Sequence, residues 1–251
     1  MAAFATAFPP SAVEWLTAAE ATAVLSVGSA SLSLARRLSP RASRFAVVDR
    51  TAEQLVAAVE QQPGLVAIVA APDAIPFAPC RFDHVVVVDT LHRLPPRLAL
   101  AEFARVLRPE GRLTVVHTAR DDSVPWVRRL AGVVRRVDPT AMADGKLAAT
   151  ATALHDNPYF PMLTRREFRR WVPAFRADLL TMVRQLDGFA DVEPAVAEQV
   201  LSEVGDLYDA IARVPDPLLL PYTVTCWQGG VDHTELTAPL ETDDAGLRIR
   251  L

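Results

Sequence analysis

Short apolar runs alternate with stretches of helical period through the first half of the chain. Residues 22–27 form the first run and stop at Gly28, and residues 45–48 form the second and stop at Asp49. Residues 65–70, 85–88 and 113–116 supply three more. Runs this short, with no polar face, are expected of strands covered on both sides. Between them, residues 32–38 predict a helix closed by Ser39-Pro40, and residues 51–60 an amphipathic helix with Leu55, Val56 and Val59 on one side. Residues 98–107 predict another, with Pro109-Glu110-Gly111 as the turn after it. Ahead of the first strand, Ser11-Ala12-Val13-Glu14 has the spacing of a capping box and opens a helix carrying Val13, Trp15 and Leu16. Alternation of this kind implies an α/β fold: a doubly wound, mostly parallel sheet with helices on both faces. Ligands are then expected at the carboxyl ends of its strands.

Beyond Thr118 the pattern loosens. Residues 123–137 read as an Arg-rich helix, and residues 138–157 as a small-residue, polar loop or short helices. Thr164 to Glu167 repeats the capping-box spacing and predicts a helix running toward Trp171. Residues 194–213 predict a helix with Pro194 in its first turn. Residues 218–228 are strand-like, Gly229-Gly230 ends them, and residues 237–251 are polar enough to be loosely held. The expected organisation is one domain over residues 1–229, whose residues 119–217 cover the substrate, followed by a polar tail over residues 230–251.

Composition narrows the function. The 251 residues are 51% hydrophobic and 22% charged, which is globular and long enough for a full core. A net charge of −4 argues against nucleic acid as a partner, because such binders carry a positive excess. The clusters Arg128, Arg129, Arg135, Arg136 and Arg165, Arg166, Arg169, Arg170 are read as solvated helix faces. Cys80 and Cys226 are far apart and lack zinc-ligand spacing, and His84, His155 and His233 lack it too, so no metal is expected. Residues 1–7 have no positive n-region and Pro9-Pro10 interrupts them, unlike a signal peptide. No segment reaches the roughly 18 uninterrupted apolar residues of a membrane span. A soluble, reduced, cytoplasmic protein with no membrane partner is the expectation.

Several segments together resemble the class I S-adenosylmethionine-dependent methyltransferases, specifically the small-molecule group called type 11. Phe82-Asp83-His84-Val85-Val86 matches the opening of that family's fourth strand, Leu91-His92 the pair that follows, and Ile75-Pro76-Phe77 the segment after strand three. Residues 104–113, Ala-Arg-Val-Leu-Arg-Pro-Glu-Gly-Arg-Leu, match the family's "ARVLRPGGRL" almost residue for residue. Arg120-Asp121 with Pro125-Trp126-Val127, and Leu220-Pro221-Tyr222-Thr223, resemble segments of a subgroup. The likeness implies a seven-stranded class I methyltransferase-like Rossmann fold, S-adenosyl-L-methionine as cofactor and a small-molecule substrate. A second copy of the chain or another protein is an open partner.

The resemblance also assigns residues. The family's first motif reads acidic-x-Gly-x-Gly-x-Gly, where this chain has Ser26-Val27-Gly28-Ser29-Ala30-Ser31-Leu32. Gly28 is the glycine that remains, and Ser26 stands at the acidic position. Asp49 falls where the ribose ligand belongs. The adenine-side acid falls on Ala71, with Asp73 two residues away as a substitute. Asp89 is assigned to the cofactor or to capping its turn. His92 is the candidate catalytic residue, with His117 a further one. Trp126, Tyr159, Phe160, Trp171 and Tyr208 are read as core or as a substrate lid. Losing two charge-assisted contacts of about 1.5–3 kcal/mol each weakens cofactor binding by roughly two to four powers of ten. The competing expectation is therefore a catalytically silent relative that keeps the fold to bind a protein partner or metabolite. A nicotinamide oxidoreductase is disfavoured, since Ala30 breaks the G-x-G-x-x-G fingerprint.

Overall fold

The computed structural model describes residues 8–61, 64–139, 145–186, 188–213 and 215–237. Seven strands form one sheet: β1 (Ala23–Val27), β2 (Arg44–Asp49), β3 (Val66–Val69), β4 (Phe82–Val88), β5 (Leu107–Arg120), β6 (Thr164–Ala174) and β7 (Leu218–Gly230). Their order is β3-β2-β1-β4-β5-β7-β6. Strands β1 to β5 pair in parallel, and β7 is antiparallel to both its neighbours. The chain moves outward from β1 through β2 to β3, then returns to lay β4 on the other side of β1. That reversal opens a crevice at the carboxyl ends of β1 and β4, where open α/β sheets bind ligands.

Helices cover both faces. α1 (Pro10–Leu16), α2 (Leu32–Leu38) and α3 (Ala52–Gln61) pack on one, where Leu16, Leu34 and Leu38 meet Val24, Val86 and Val116. α4 (Pro96–Val106) and α6 (Gly145–His155) cover the other, where Leu100, Phe103 and Leu154 meet Leu25, Val85, Val87 and Val115. α5 (Pro125–Val134), α7 (Arg176–Arg184) and α8 (Pro194–Ile211) build a second core against Val172, Leu220 and Tyr222 of the outer strands. α9 (Thr234–Thr237) closes the described chain. No helix among the described residues is long and apolar enough to cross a membrane.

Four expectations change. Residues 164–174 form β6, not a helix, because eleven residues pair with β7 from Thr164↔Gln228 to Ala174↔Leu218. Phe168, Val172 and Ala174 face inward at even spacing, and Thr164 with Glu167 caps nothing. The arginines at 165, 166, 169 and 170 thus line an edge strand, where charge blocks pairing with another chain. α1 begins after Pro9, and no side chain caps it, so Ser11 and Glu14 make no capping box. On α3 the inward residues are Leu55 and Ala58, while Val56 and Val59 are exposed. Pro109-Glu110-Gly111 is an irregularity inside β5: Phe82 pairs with Leu107 and His84 with Arg112, so the intervening residues loop out.

The segments that carried the family likeness do structural work. Asp83 Oδ2 accepts N–H bonds from Thr22 and Ala23, and Oδ1 accepts from Arg108 at 2.6 Å, tying β4 to the starts of β1 and β5. His84 is buried between Ser39 Oγ at 3.1 Å and Thr114 Oγ1 at 2.9 Å. Arg105 donates to the carbonyls of Ile75 and Phe77 and to Glu102, clamping the segment after β3 onto α4.

Candidate functional site

The carboxyl ends of β1 to β5 bring the sequence-assigned residues to one edge of the sheet. At Gly28 the backbone takes φ +82, a conformation side chains resist, and an added Cβ would lie 3.2 Å from Thr90 Oγ1. Glycine here lets the loop after β1 close against the turn after β4. Ser31 fastens that closure: its hydroxyl donates to Val27 O at 2.7 Å and accepts the Val88 N–H at 2.8 Å, fully buried.

Asp49 ends β2 beside this loop. Its Oδ2 accepts the Ser29 N–H at 2.9 Å and its Oδ1 the Thr51 N–H at 3.1 Å. A carboxylate offers about four lone-pair positions, so a ligand's hydroxyls still have places to donate. Asp73 pairs with Arg50 at 3.2 Å, which sets it on the β2–β3 side.

Ser26 and Leu32 have other tasks than the motif positions implied. Ser26 is fully buried and donates to Gly28 O at 3.0 Å, so its hydroxyl supports the loop from behind. Leu32 is buried with Val47, Leu55 and Leu65 in the core under α3. Both departures are absorbed into packing, and Ser26 has no exposed atom to offer a cofactor.

The β4–β5 end is different in kind. Asp89 has φ +51, and its N–H donates to Val116 O at 2.9 Å. Its Oδ1 accepts the Thr118 N–H at 2.6 Å and lies 3.5 Å from His117 Nδ1. Burial raises the Asp89 pKa to about 6, against hydrogen bonding from Thr118 and the charges of Arg93 and Lys146. Water still reaches 41% of the side chain, which places the carboxyl in a concave recess rather than in the core. His92, on the short turn Leu91–Arg93, meets His117 edge to face at 5.7 Å between ring centroids. Burial first, then Arg93, His117 and Lys146, lower the His92 pKa to about 4. Burial and Lys146 lower that of His117 as well. The Nδ1 atoms of both rings are buried with no hydrogen-bond partner.

The sequence pattern favours His92 over His117 and does not single out Lys146. The lysine's place over the recess depends on how α6 folds back across the sheet, which no local pattern encodes. Among the aromatic candidates, Phe160 and Tyr208 are core, Trp126 and Tyr159 pack partly buried against it, and Trp171 is exposed. No group of three or more His, Cys, Asp or Glu among the described residues has the geometry to hold a metal. Cys80 and Cys226 are free thiols, and burial pushes that of Cys226 up to about 12. A separate groove of about 320 Å³ between α6 and the start of β6, lined by Leu154, Phe160, Leu163 and Trp227, contains none of the candidate polar residues.

Comparison with known proteins finds a likeness to methyltransferases over part of the chain. Residues 25–115, from β1 into β5, match the family model described as "Methyltransferase domain". Over that stretch the chain is similar to methyltransferases. An uncharacterized methyltransferase of Mycobacterium tuberculosis (strain ATCC 25618 / H37Rv) is 36% identical over 129 residues, 51% of this chain and 53% of that protein. One of Schizosaccharomyces pombe (strain 972 / ATCC 24843) is 29% identical over 134 residues, again covering 51% and 53%. The chain thus spans about half the length of the curated relatives it matches. Among solved structures, a candidate type II methyltransferase from Anaeromyxobacter dehalogenans superposes with a TM-score of 0.66 at 20% identity, covering 91% of this chain and 98% of that one. The YcgJ protein from Bacillus subtilis gives 0.51 at 17%, covering 88% and 96%. At these identities the structural likeness concerns the fold alone.

Proposed function

We propose that this methyltransferase-family protein transfers a methyl group from S-adenosylmethionine to a small molecule. Gly28 and Asp49, at the ends of β1 and β2, would hold the cofactor, and the residues at the ends of β4 and β5 would face the acceptor. The carrying observation is the Gly28–Asp49 pair at the crevice: a left-handed glycine that lets backbone approach closely, beside a carboxylate held by two backbone N–H groups with lone pairs to spare.

These residues fit the cofactor unevenly. Gly28 suits the methionine end and Asp49 the ribose hydroxyls. At the adenine end Asp73 is already paired with Arg50, so its acceptor strength is shared. When bound, the cofactor supplies an electrophilic methyl group on sulfur. The chain's part is to align the acceptor with that methyl and to keep water out. His92, His117 and Asp89 line the acceptor end, and α6 brings Lys146 over it.

The internal roles of Ser26 and Leu32 favour the second reading, a silent relative that binds a partner or metabolite, and a thermal melt separates the two. A ligand specific to the native state at a hundredfold excess over Kd stabilises it by about 2.7 kcal/mol, or roughly 5 °C for a chain of this size. With the motif acid absent at Ser26, millimolar S-adenosylmethionine or its demethylated product is expected to raise the midpoint by about 1–3 °C. Asp49→Ala should abolish that shift. No shift in the unmodified protein would leave the silent reading standing. Leu32→Gly is a poor way to restore the motif, because it empties a core position.

A further inference from the structure

We propose that His117 and Asp89 form a general-base pair at the acceptor end of the cleft, and that the methyl acceptor is a protic nucleophile, an alcohol, phenol or amine, whose proton passes to His117. The inference rests on the methyl-transfer reading and assigns the proton acceptor within it.

Placement carries it. His117 is 6% exposed at the inner edge of β5, with Nδ1 turned toward Asp89 Oδ1 at 3.5 Å. That nitrogen is sealed from water and has no other partner. Nε2 makes no hydrogen bond among the described residues and is not sealed from water. The carboxylate cannot swing away. Asp89 is pinned through its own N–H to Val116 O and through Oδ1 to the Thr118 N–H, on either side of His117. A carboxylate beside Nδ1 favours the tautomer with its proton there, leaving the Nε2 lone pair free, and stabilises the imidazolium that forms. The 3.5 Å separation is within the looseness of such pairs before substrate tightens them.

The charges around the ring set its strength. Asp89 faces it from the end of β4, His92 from the turn after β4, and Lys146 from α6, while Arg93 acts on His92 and Asp89 beside it. Burial and Lys146 keep His117 neutral at pH 7, ready to accept, while Asp89 titrates near 6 and is ionised there. His92, lowered to about 4, is the weaker base, and Arg93 Nε reaches its Nε2 at 3.4 Å. Its edge-to-face contact positions the His117 ring. In the step, a lone pair on the acceptor oxygen or nitrogen bonds to the methyl carbon as the carbon–sulfur bond breaks, that pair staying on sulfur. The acceptor proton goes to His117 Nε2 and then to water. A carboxylate acceptor has no proton to surrender and would not use the pair.

The test is nitrogen NMR on the full chain with labelled histidine from pH 5 to 9. His117 should be neutral at pH 7 with its proton on Nδ1. Asp89→Gly, which keeps the left-handed backbone, should erase that preference, and His92→Phe should not. A proton on Nε2 in the unmodified protein, or a tautomer indifferent to Asp89→Gly, would overturn the proposal. Calorimetry with S-adenosylhomocysteine runs alongside. His117→Gln should bind it within about threefold of the unmodified protein, and no binding to either refutes the methyl-transfer reading while the tautomer still reports on the pair. With catechol, tyramine and cinnamate as probe acceptors, turnover of either protic probe should fall about 100-fold or more in His117→Gln. Methylation of cinnamate alone would overturn the acceptor class. If no probe turns over, the Nδ1 tautomer and its loss in Asp89→Gly decide for or against the pair.

Discussion

At the β1–β3 end of the cleft the candidate polar side chains have protein partners. Ser26 bonds to Gly28 O, Ser31 to Val27 O and Val88 N, Asp49 to two backbone N–H groups, and Asp73 to Arg50. At the β4–β5 end, two imidazoles hold buried nitrogens with no hydrogen bond, and a carboxyl beside one of them titrates near 6. Unsatisfied buried polar atoms cost about 1–3 kcal/mol each, so they persist where a ligand or water completes them. The first region has spent its polar groups on holding a loop, and the second keeps them in reserve. The chain leaves the β4–β5 end of the cleft more open to a ligand than the β1–β3 end.

The largest test of this contrast strikes the seam between the two regions. Val87 on β4 pairs with Val27 on β1 and Val115 on β5 and is fully buried. Val87→Asp should cost more than about 4 kcal/mol and leave no soluble, cooperatively melting protein. A folded Val87→Asp variant would mean that the two regions do not share one core.

Next in size is the response to acid, where a histidine buried within β4 and the carboxyl at the end of β4 pull in opposite directions. Burial, with Arg112 nearby, lowers the His84 pKa to about 3. Its native state is therefore favoured above 6.5, and that advantage is lost as pH falls from 6.5 toward 3, at up to about 1.4 kcal/mol per pH unit. Asp89 has the opposite sign. Its raised folded value favours the native state below about 4, and that contribution fades as pH rises through about 6. His92 and His117, whose values are also lowered, add to the His84 slope, so Asp89 offsets only part of it between about pH 4 and 6, and stability should still fall there as pH drops. Asp89→Asn should expose the His84 slope, and urea melts at pH 7 and pH 5 measure it. Equal pH dependence in the variant would show that Asp89 does not titrate in the recess.

The smallest effect belongs to the fastened loop. Ser31→Ala removes a bond to Val27 O and leaves the Val88 N–H unpaired, which should cost about 1–3 kcal/mol in urea melts. A neutral result would mean that the loop after β1 is not held closed by its own side chains, and the contrast between the ends would weaken accordingly.

Much of this is legible in the residues. The apolar runs place β1 to β4 within about three residues and mark the centre of β5, although β3, at the sheet edge, exposes Val66 and Val69 and is not covered on both faces as expected. Gly28 and Asp49 stand out because strand ends carry their own turn chemistry. Thr164 to Glu167 misleads because the spacing of a capping box is short and unspecific, while β6 draws its hydrogen bonds from β7, far along the chain. Ser26 and Leu32 mislead for a related reason. A motif position says which residue stands there, and burial alone says whether its side chain faces ligand or core.

By itself, then, the sequence determined the parallel half of the sheet and the places where its strands end, since these follow from period and punctuation along neighbouring residues. Only the tertiary structure decided which polar groups at those ends remain unspent. His117 meets Asp89 across two parallel strands, His92 reaches it from a turn, and Lys146 arrives on a helix from the far part of the chain. Their protonation depends on burial and on charges brought together across long separations, and desolvation is a property of the assembled fold rather than of any segment.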